Sequence, residues 1–568
     1  MQNKSMIKHK SNFKIMKRYI SVLIYLVISA GFFAFSIQTG HCQANFIGTW
    51  EGIFMNDFRA GINFSNNDEN KYEGNIKMFS GNNLIQDDQI KDISLINKDF
   101  KFYIPAKETL FEGSFNDLVT ELTGEFIFPD GSKHAIQLKR KITETTTVEE
   151  FRLLKEKKND VQDLHSDLQL LYTTLKEQHP QLYTFTSKDS LDLLVEKILN
   201  EINEPLTLEE FYLKTTKLTN VVNCSHTGVK LPSTYQNLIN SFGSYFPLRL
   251  FFTNGKAFYI SGVSEGDHQL SPGYEVISIN DIPIDEIIKQ TFYYIPSEGC
   301  NTTTKYNELN KRFNTLFYLL DDSEQFNIKF KTRDSIKVIT VSSSYLSDKN
   351  LDYGTNDKNK LVDFTYINTK TIGVLKVSSF AIPEMDHYFY QLDSIFSDLK
   401  ANNIQDLIID LRDNSGGHPI FAAQLFSYLT DREFIYFKRN EEVKDFEPLY
   451  NTMQPNKLNF SGNVYVFING GCLSTTGHLI SLLKFYTNAI FIGEEPGSTF
   501  RCNDFSMQLA LPKSGIIVNV PRITFETSVS GFTVCEPFPL DFKVNKNAFD
   551  IKNREDSYVN IVLSIGKK

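Results

Sequence analysis

Asp410-Leu-Arg-Asp-Asn-Ser-Gly-Gly417 continues an apolar strand, Leu407-Ile-Ile409, straight into a polar turn that ends on two glycines. Without a Cβ, Gly416 and Gly417 permit backbone conformations and close approaches that other residues resist, so their amides can be aimed at a developing negative charge. A second strand, Val464-Tyr-Val-Phe-Ile468, ends at Asn469-Gly-Gly471 and opens into Cys472-Leu-Ser474-Thr-Thr-Gly-His478-Leu-Ile-Ser-Leu-Leu. The arrangement predicts Ser474 at a strand-to-helix turn, with its hydroxyl near the positive end of a helix.

Outward from these turns, strand and helix patterns alternate from Leu361 to Val544. Ile372–Val377, Leu407–Leu411, Val464–Ile468 and Ala489–Gly493 read as strands. Met385–Leu399, Phe421–Leu429 and the segment after Ser474 read as helices between them. Such alternation predicts a mostly parallel sheet, whose sites lie outside the carboxyl ends of the strands. Both glycine turns fall there.

Upstream the patterns differ. Residues 244–345 return to strands, and Leu270-Ser-Pro-Gly273 through Asn280-Asp-Ile-Pro-Ile284 to Ile288 resembles the central signature of a PDZ domain. That resemblance implies capture of an extended peptide end by strand addition, with Phe246-Pro-Leu-Arg-Leu250 as a candidate carboxylate-binding loop. Residues 146–240 read as a helical cap. Leu164, Leu168, Leu171 and Leu175 share one face, as do Leu191, Leu194, Val195 and Ile198, and Thr207-Leu-Glu-Glu210 is a capping box. His179-Pro180 predicts a helix end, and His165 and His179 read as packing or surface histidines. Residues 45–145 show short alternating runs broken by turn residues, which predicts an antiparallel sheet or small barrel. Gly48-Thr-Trp-Glu-Gly52 resembles the opening of a lipocalin-like barrel, for which a structural add-on is weighed against a ligand-binding role.

Length and composition bound the rest. The 568 residues exceed what one core can serve. The net charge of −9, with no Lys/Arg-rich block, argues against nucleic-acid binding. Lys14, Lys17 and Arg18 precede the apolar run Tyr19–Phe35 and the small, polar stretch Gln38–Ala44, so residues 1–44 read as an export signal. An uncleaved anchor and a lipid-modified Cys42 are the alternatives, and either would associate the chain with a membrane. The predicted location is periplasmic or cell-envelope associated, with secretion as an alternative. Six cysteines without short regular spacings predict neither a disulfide scaffold nor a zinc site.

A serine hydroxyl needs a base to take its proton. Among ten histidines, His226 stands in a polar turn, Asn223-Cys-Ser225-His226-Thr-Gly228. Taken together, the 410–417 turn, the Ser474 turn, Phe491-Ile-Gly-Glu-Glu-Pro496 and the PDZ-like segment resemble the tail-specific, C-terminal-processing serine peptidases. The likeness runs from about Leu164 to Val544. The branch with a serine-lysine dyad carries a lysine after the Gly-Glu strand end; here Gly493–Arg501 contains none. The resemblance therefore favours the branch typified by the tricorn core protease. It implies Ser474 as nucleophile, His226 as general base and Ser225 as an orienting residue. It also implies a late glutamate, Glu536 in preference to Glu526, and an oxyanion hole from Thr475 with Gly416 or Gly417. No cofactor or metal is implied, and the substrate would be a protein or peptide. Thr475-Thr476-Gly477 depart from the family's usual residues after the nucleophile, and His478 beyond them reads as a packing residue or, as a lesser alternative, a rival base. Cys224 and Cys472 read as packing residues. The competing expectation is a non-catalytic binding protein on the same fold.

Overall fold

The computed structural model describes residues 46–54, 58–66, 71–80, 83–96, 98–115, 121–141, 148–262, 270–345, 360–439, 443–544, 546–547 and 556–565. The expected export signal and Cys42 lie outside them. Two compact units form, residues 1–147 and 148–568.

In the first unit eight antiparallel strands close into a barrel, each paired with its sequence neighbour and the first with the last. Its interior is packed with rings. Phe46, Trp50, Phe64, Phe100, Phe102, Phe111, Phe115 and Phe126 are all buried. Phe102 stacks on Phe111 at 4.6 Å between centroids, and Phe100 lies 4.8 Å from both Phe46 and Phe115. Gly113 and Gly124 face each other across paired strands. A Cβ on Gly124 would come within 2.5 Å of the Phe111 ring, so these glycines make room for the aromatic core. Side chains therefore fill much of the barrel's interior.

The second unit begins with helices. Val161–Gln178 starts at Asp160, whose carboxylate accepts from Gln162 N, and ends at His179, held extended before Pro180. Leu208–Asn220 carries the predicted Thr207/Glu210 capping box. His165 Nε2 sits 3.0 Å from both Leu199 O and Ile202 O, and His179 is buried, so both are packing groups.

A sheet of antiparallel strands follows in the order Leu248–Thr253, Lys256–Gly262, Glu275–Ile279, Gln325–Lys331, Ile336–Ser342. Ile284–Phe292 and Thr303–Tyr318 are its helices. The segment expected to offer a carboxylate-binding loop instead enters the edge strand, and that edge is sealed. Asn310 accepts from Phe252 N at 2.7 Å and donates to Phe252 O at 3.1 Å; Asn314 donates to Phe246 O and to Leu248 O. Two asparagine amides on the Thr303–Tyr318 helix thus take the place an added strand would occupy.

The α/β core has the predicted layout. Val362–Ile367, Ile372–Val377, Asp406–Asp410, Asn463–Ile468, Ile490–Gly493 and Phe542–Lys543 form one sheet, antiparallel at the first pair and parallel thereafter. Continuous apolar runs make these strands because the sheet is covered on both faces. Arg412, at the head of the glycine turn, is forked between Asp410 (2.6 and 2.8 Å) and Asp556 (2.8 and 3.1 Å), with its guanidinium over the Tyr558 ring. Arg412→Ala would leave the buried Asp410 carboxylate unpaired. We expect a loss of about 3–5 kcal/mol in denaturant unfolding of this unit.

Candidate active site

Ser474 is the N-cap of the Thr475–Tyr486 helix and adopts φ 53°, ψ −126°. That backbone conformation is costly for a non-glycine residue and is the kind retained where it serves a site. Across from it, Gly416 has φ +100°, and a Cβ there would lie 2.8 Å from Ser474 Cβ and 3.1 Å from Thr475 N. The two glycine-ended turns of the sequence therefore meet face to face. Thr475 Oγ1 donates to Gly417 O at 2.5 Å and ties them together. The Gly416 amide donates to Asn414 Oδ1 at 2.9 Å, so it is already engaged. The Gly417 and Thr475 amides donate to no other described residue.

The His226 turn reaches the core through a late hairpin. Gly228–Lys230 pairs antiparallel with Ile517–Val520, which pairs with Met507–Ala510. Asn519 holds His226 O at 2.5 Å. In the same hairpin, the amides of Lys513 and Ser514 donate to Asp167 of the first long helix.

The environment of His226 is polar and specific. Nδ1 lies 3.2 Å from Ser225 Oγ, and that hydroxyl donates to Glu298 Oε2 at 2.9 Å. Ser225 N donates to the same oxygen at 3.1 Å. Because the single hydroxyl proton goes to Glu298, Ser225 Oγ accepts from Nδ1–H. In the neutral ring this leaves the lone pair on Nε2, the tautomer a general base needs. Burial pushes the Glu298 pKa above the ordinary carboxylate value, against the opposing pull of its Ser225 hydrogen bonds. Nε2 itself faces Asp504 Oδ2 at 3.4 Å.

Ser474 Oγ and His226 are not hydrogen-bonded to each other. Ser474 Oγ lies 3.8 Å from Cys502 Sγ. Cys502 and Asp504 are two residues apart on the strand Arg501–Asp504, and such residues point to the same face about 6.6 Å apart along the strand. Ser474 thus contacts Cys502, and His226 contacts Asp504 two residues further along the same strand.

His478 is buried, with Nε2 3.5 Å from Cys502 Sγ and its ring edge-on to Phe437 at 5.3 Å. Burial, with a smaller contribution from His226, pushes its pKa down to about 3, so it is neutral and packed. The Cys502 thiol stands between it and Ser474. Cys224 and Cys472 are buried with raised thiol pKa values, the former at about 12, as expected of packing cysteines.

Neither late glutamate reaches the pair. Glu526 is ion-paired with Lys438, and exposed Glu536 hydrogen-bonds through its main chain to Thr533 O. The carboxylate at Ser225 comes from Glu298, in the turn between two helices of the preceding antiparallel domain. Ser297-Glu298-Gly299-Cys300 carries a turn signal, but nothing in its spacing ties it to Ser225. Cys502 and Asp504 also went unread, since their role depends on which strand face meets the two turns. Among the described residues, no cluster of three or more His, Cys, Asp or Glu could hold a metal, and no helix is long and apolar enough to cross a membrane.

Residues 371–529 match the sequence model of Peptidase family S41. That segment holds the 410–417 turn, Ser474, Cys502 and Asp504; His226 and Glu298 lie upstream of it. A stretch of 195 residues is 27% identical to carboxyl-terminal-processing peptidase 2, chloroplastic, of Arabidopsis thaliana, covering 32% of this chain and 35% of that protein. The chain thus spans about a third of the length of this relative. Among solved structures, mature CPAF is similar in fold, with a TM-score of 0.52 at 12% identity over 71% of this chain and 96% of that one. Mature CPAF complexed with lactacystin gives 0.53 at 12% identity, over 71% and 97%. The family match and the processing-peptidase relative support a serine-type peptidase.

Proposed function

We propose that the chain is an exported serine endopeptidase that cleaves proteins or peptides through an acyl-enzyme on Ser474. The observation that carries this reading is the juxtaposition of Ser474, the Gly416–Gly417 turn and the Ser225–His226 turn around the strand Arg501–Asp504. His226 Nε2 takes the Ser474 proton as general base and returns it to the leaving amine. Ser225 and Glu298 hold the ring through Nδ1 and stabilise the imidazolium that forms. The Thr475 and Gly417 amides receive the oxyanion, each donor supplying about 3 kcal/mol in sites of this type. No metal or cofactor takes part. This is the serine-histidine arrangement of the tricorn-like branch, with Glu298 in the role first expected of Glu536. The sealed edge of the antiparallel sheet means that PDZ-like peptide capture there requires displacement of Asn310 and Asn314.

Catalysis needs Nε2 to leave Asp504 and reach Ser474 Oγ. Asp504 can hold Nε2 only when the ring carries a second proton, and because Asp504 is partly exposed that ion pair is worth about 1 kcal/mol or less. Asp504→Ala should therefore raise the rate of fluorophosphonate labelling of Ser474 only at acid pH, where the imidazolium forms, and by up to about five-fold. Glu298→Gln should lower kcat/KM by about 10- to 100-fold, an effect of the size seen when an orienting partner is lost.

The separation of Ser474 from His226 also favours a second reading, a peptide-binding protein without turnover. Incubation of the mature protein with a quenched-fluorescent unfolded protein separates the two. Steady hydrolysis lost in Ser474→Ala supports the peptidase; saturable binding without cleavage at any pH from 5 to 9 supports the alternative.

A further inference from the structure

The described cysteines include one bridge, Cys300–Cys535, joining positions 235 residues apart. The turn that carries Cys300 also carries Glu298, whose Oε2 receives both hydrogen bonds from Ser225. Gly299 N donates to Asn223 O at 2.8 Å, so this turn lies directly on the turn that presents His226. Gly299 is tightly packed, since a Cβ there would lie 3.2 Å from the Phe185 ring and 3.7 Å from Cys535 Sγ. On the other side of the bridge, Asn301 Nδ2 donates to Pro496 O at 3.0 Å. Both bridge cysteines are exposed, and with Glu298, Arg501 and Glu536 they line a cavity of about 130 Å³.

We propose that the Cys300–Cys535 bridge is a positioning element for His226, acting through Glu298 and Ser225, and that its reduction disengages that array. The inference rests on the peptidase reading. A dithiol opens the bridge as follows: its thiolate attacks one sulfur and breaks the S–S bond, and its second thiolate then displaces the mixed disulfide. The reductant leaves as a cyclic disulfide after giving up two electrons, and two protons end on the Cys300 and Cys535 thiols. The Glu298 turn then loses its covalent anchor to the 533–537 segment. Ser225 and the His226 ring lose the fixed carboxylate that sets their orientation, and such misplacement is costly to catalysis.

The test compares the full mature chain before and after dithiothreitol with the Cys300→Ser/Cys535→Ser variant, Glu298→Gln, and the combination of all three changes. Measured for each are kcat/KM against pH, near-ultraviolet circular dichroism, and the NMR titration of the His226 ring, assigned with His226→Gln. The expected result is a fall in kcat/KM of about ten-fold or more on reduction and the same fall in the double-serine variant, with the folded dichroism signal kept. Dithiothreitol should have no effect on that variant, and adding the serines to Glu298→Gln should cost less than about two-fold more, because both act through one path. Retention of kcat/KM within two-fold with an unchanged pH profile overturns the proposal, as do losses that multiply with Glu298→Gln. Should the double-serine variant fail to fold, brief reduction of the folded parent decides. If the parent neither hydrolyses substrate nor takes up fluorophosphonate, the peptidase reading has failed; an unchanged His226 titration after reduction then overturns the bridge proposal on its own ground.

Discussion

Ser474→Ala is expected to lower kcat for peptide hydrolysis by about 10⁶-fold, the scale on which serine peptidases depend on their nucleophile. His226→Ala should fall nearly as far, and the two changes together should cost little more than either alone. That non-additivity follows from the chemistry. The hydroxyl is useful only while a base can take its proton, and the base is useful only while a hydroxyl is there to give one. Neither change should disturb folding much. The Ser474 side chain makes only its long thiol contact among the described residues, and the His226 side chain is about one-fifth exposed. Thermal unfolding within a few degrees of the parent, alongside loss of turnover, is the combined result expected. Ser225→Ala should sit between these variants and the parent, since it removes the link to Glu298 but leaves Nε2 and Ser474 intact.

Gly416→Ala should reduce kcat by about 10²–10³-fold, the range seen when oxyanion stabilisation is lost. The cause is steric. At φ +100° an alanine is strained, and its methyl would come within 2.8 Å of Ser474 Cβ and 2.9 Å of Leu473 O. Relief requires the two turns to separate, which carries the Thr475 amide and Ser474 Oγ out of register with the Gly417 amide. The Gly416 amide is itself spent on Asn414, so this loss comes from displacement and leaves the number of donors unchanged. Steady-state kinetics should show the effect in kcat with KM changed little, since the misplaced groups act on the transition state.

The architecture of the core was readable because its signals are local. Continuous apolar runs such as Leu407-Ile-Ile409 mark buried strands, and the Asn-Gly-Gly and Ser-Gly-Gly turns mark where they stop. The Thr207/Glu210 box and the residue before Pro180 fix helix ends by chemistry within one turn of chain. Alternation and turn residues likewise disclosed the strands of residues 45–145, whereas closure into a barrel filled by phenylalanines depends on how the first and last strands meet.

What stayed hidden is long-range. Glu298 reaches Ser225 from a different domain across 73 positions, and Cys300 finds Cys535 across 235. Pairing over such distances leaves no periodic mark, and the late glutamate that the resemblance implies, Glu536, lies beside the bridge instead. Asp504 and Cys502 were missed for a related reason. Their role follows from sharing one face of a four-residue strand, and nothing in Phe500-Arg-Cys-Asn-Asp504 announces which face meets the two turns. The sealed sheet edge is a third case. Asn310 and Asn314 read as ordinary helix residues, and only packing against Phe246–Phe252 turns them into edge caps.

The central claim is that Ser474 is a nucleophile activated by His226. Reaction of the mature protein with a fluorophosphonate, followed by peptide mapping of the adduct in the parent and in His226→Ala, tests it most directly. A single adduct on Ser474 in the parent and a rate at least about 10³-fold lower in the variant are expected. An adduct on another residue, or equal labelling of Ser474 with and without the imidazole, would contradict it.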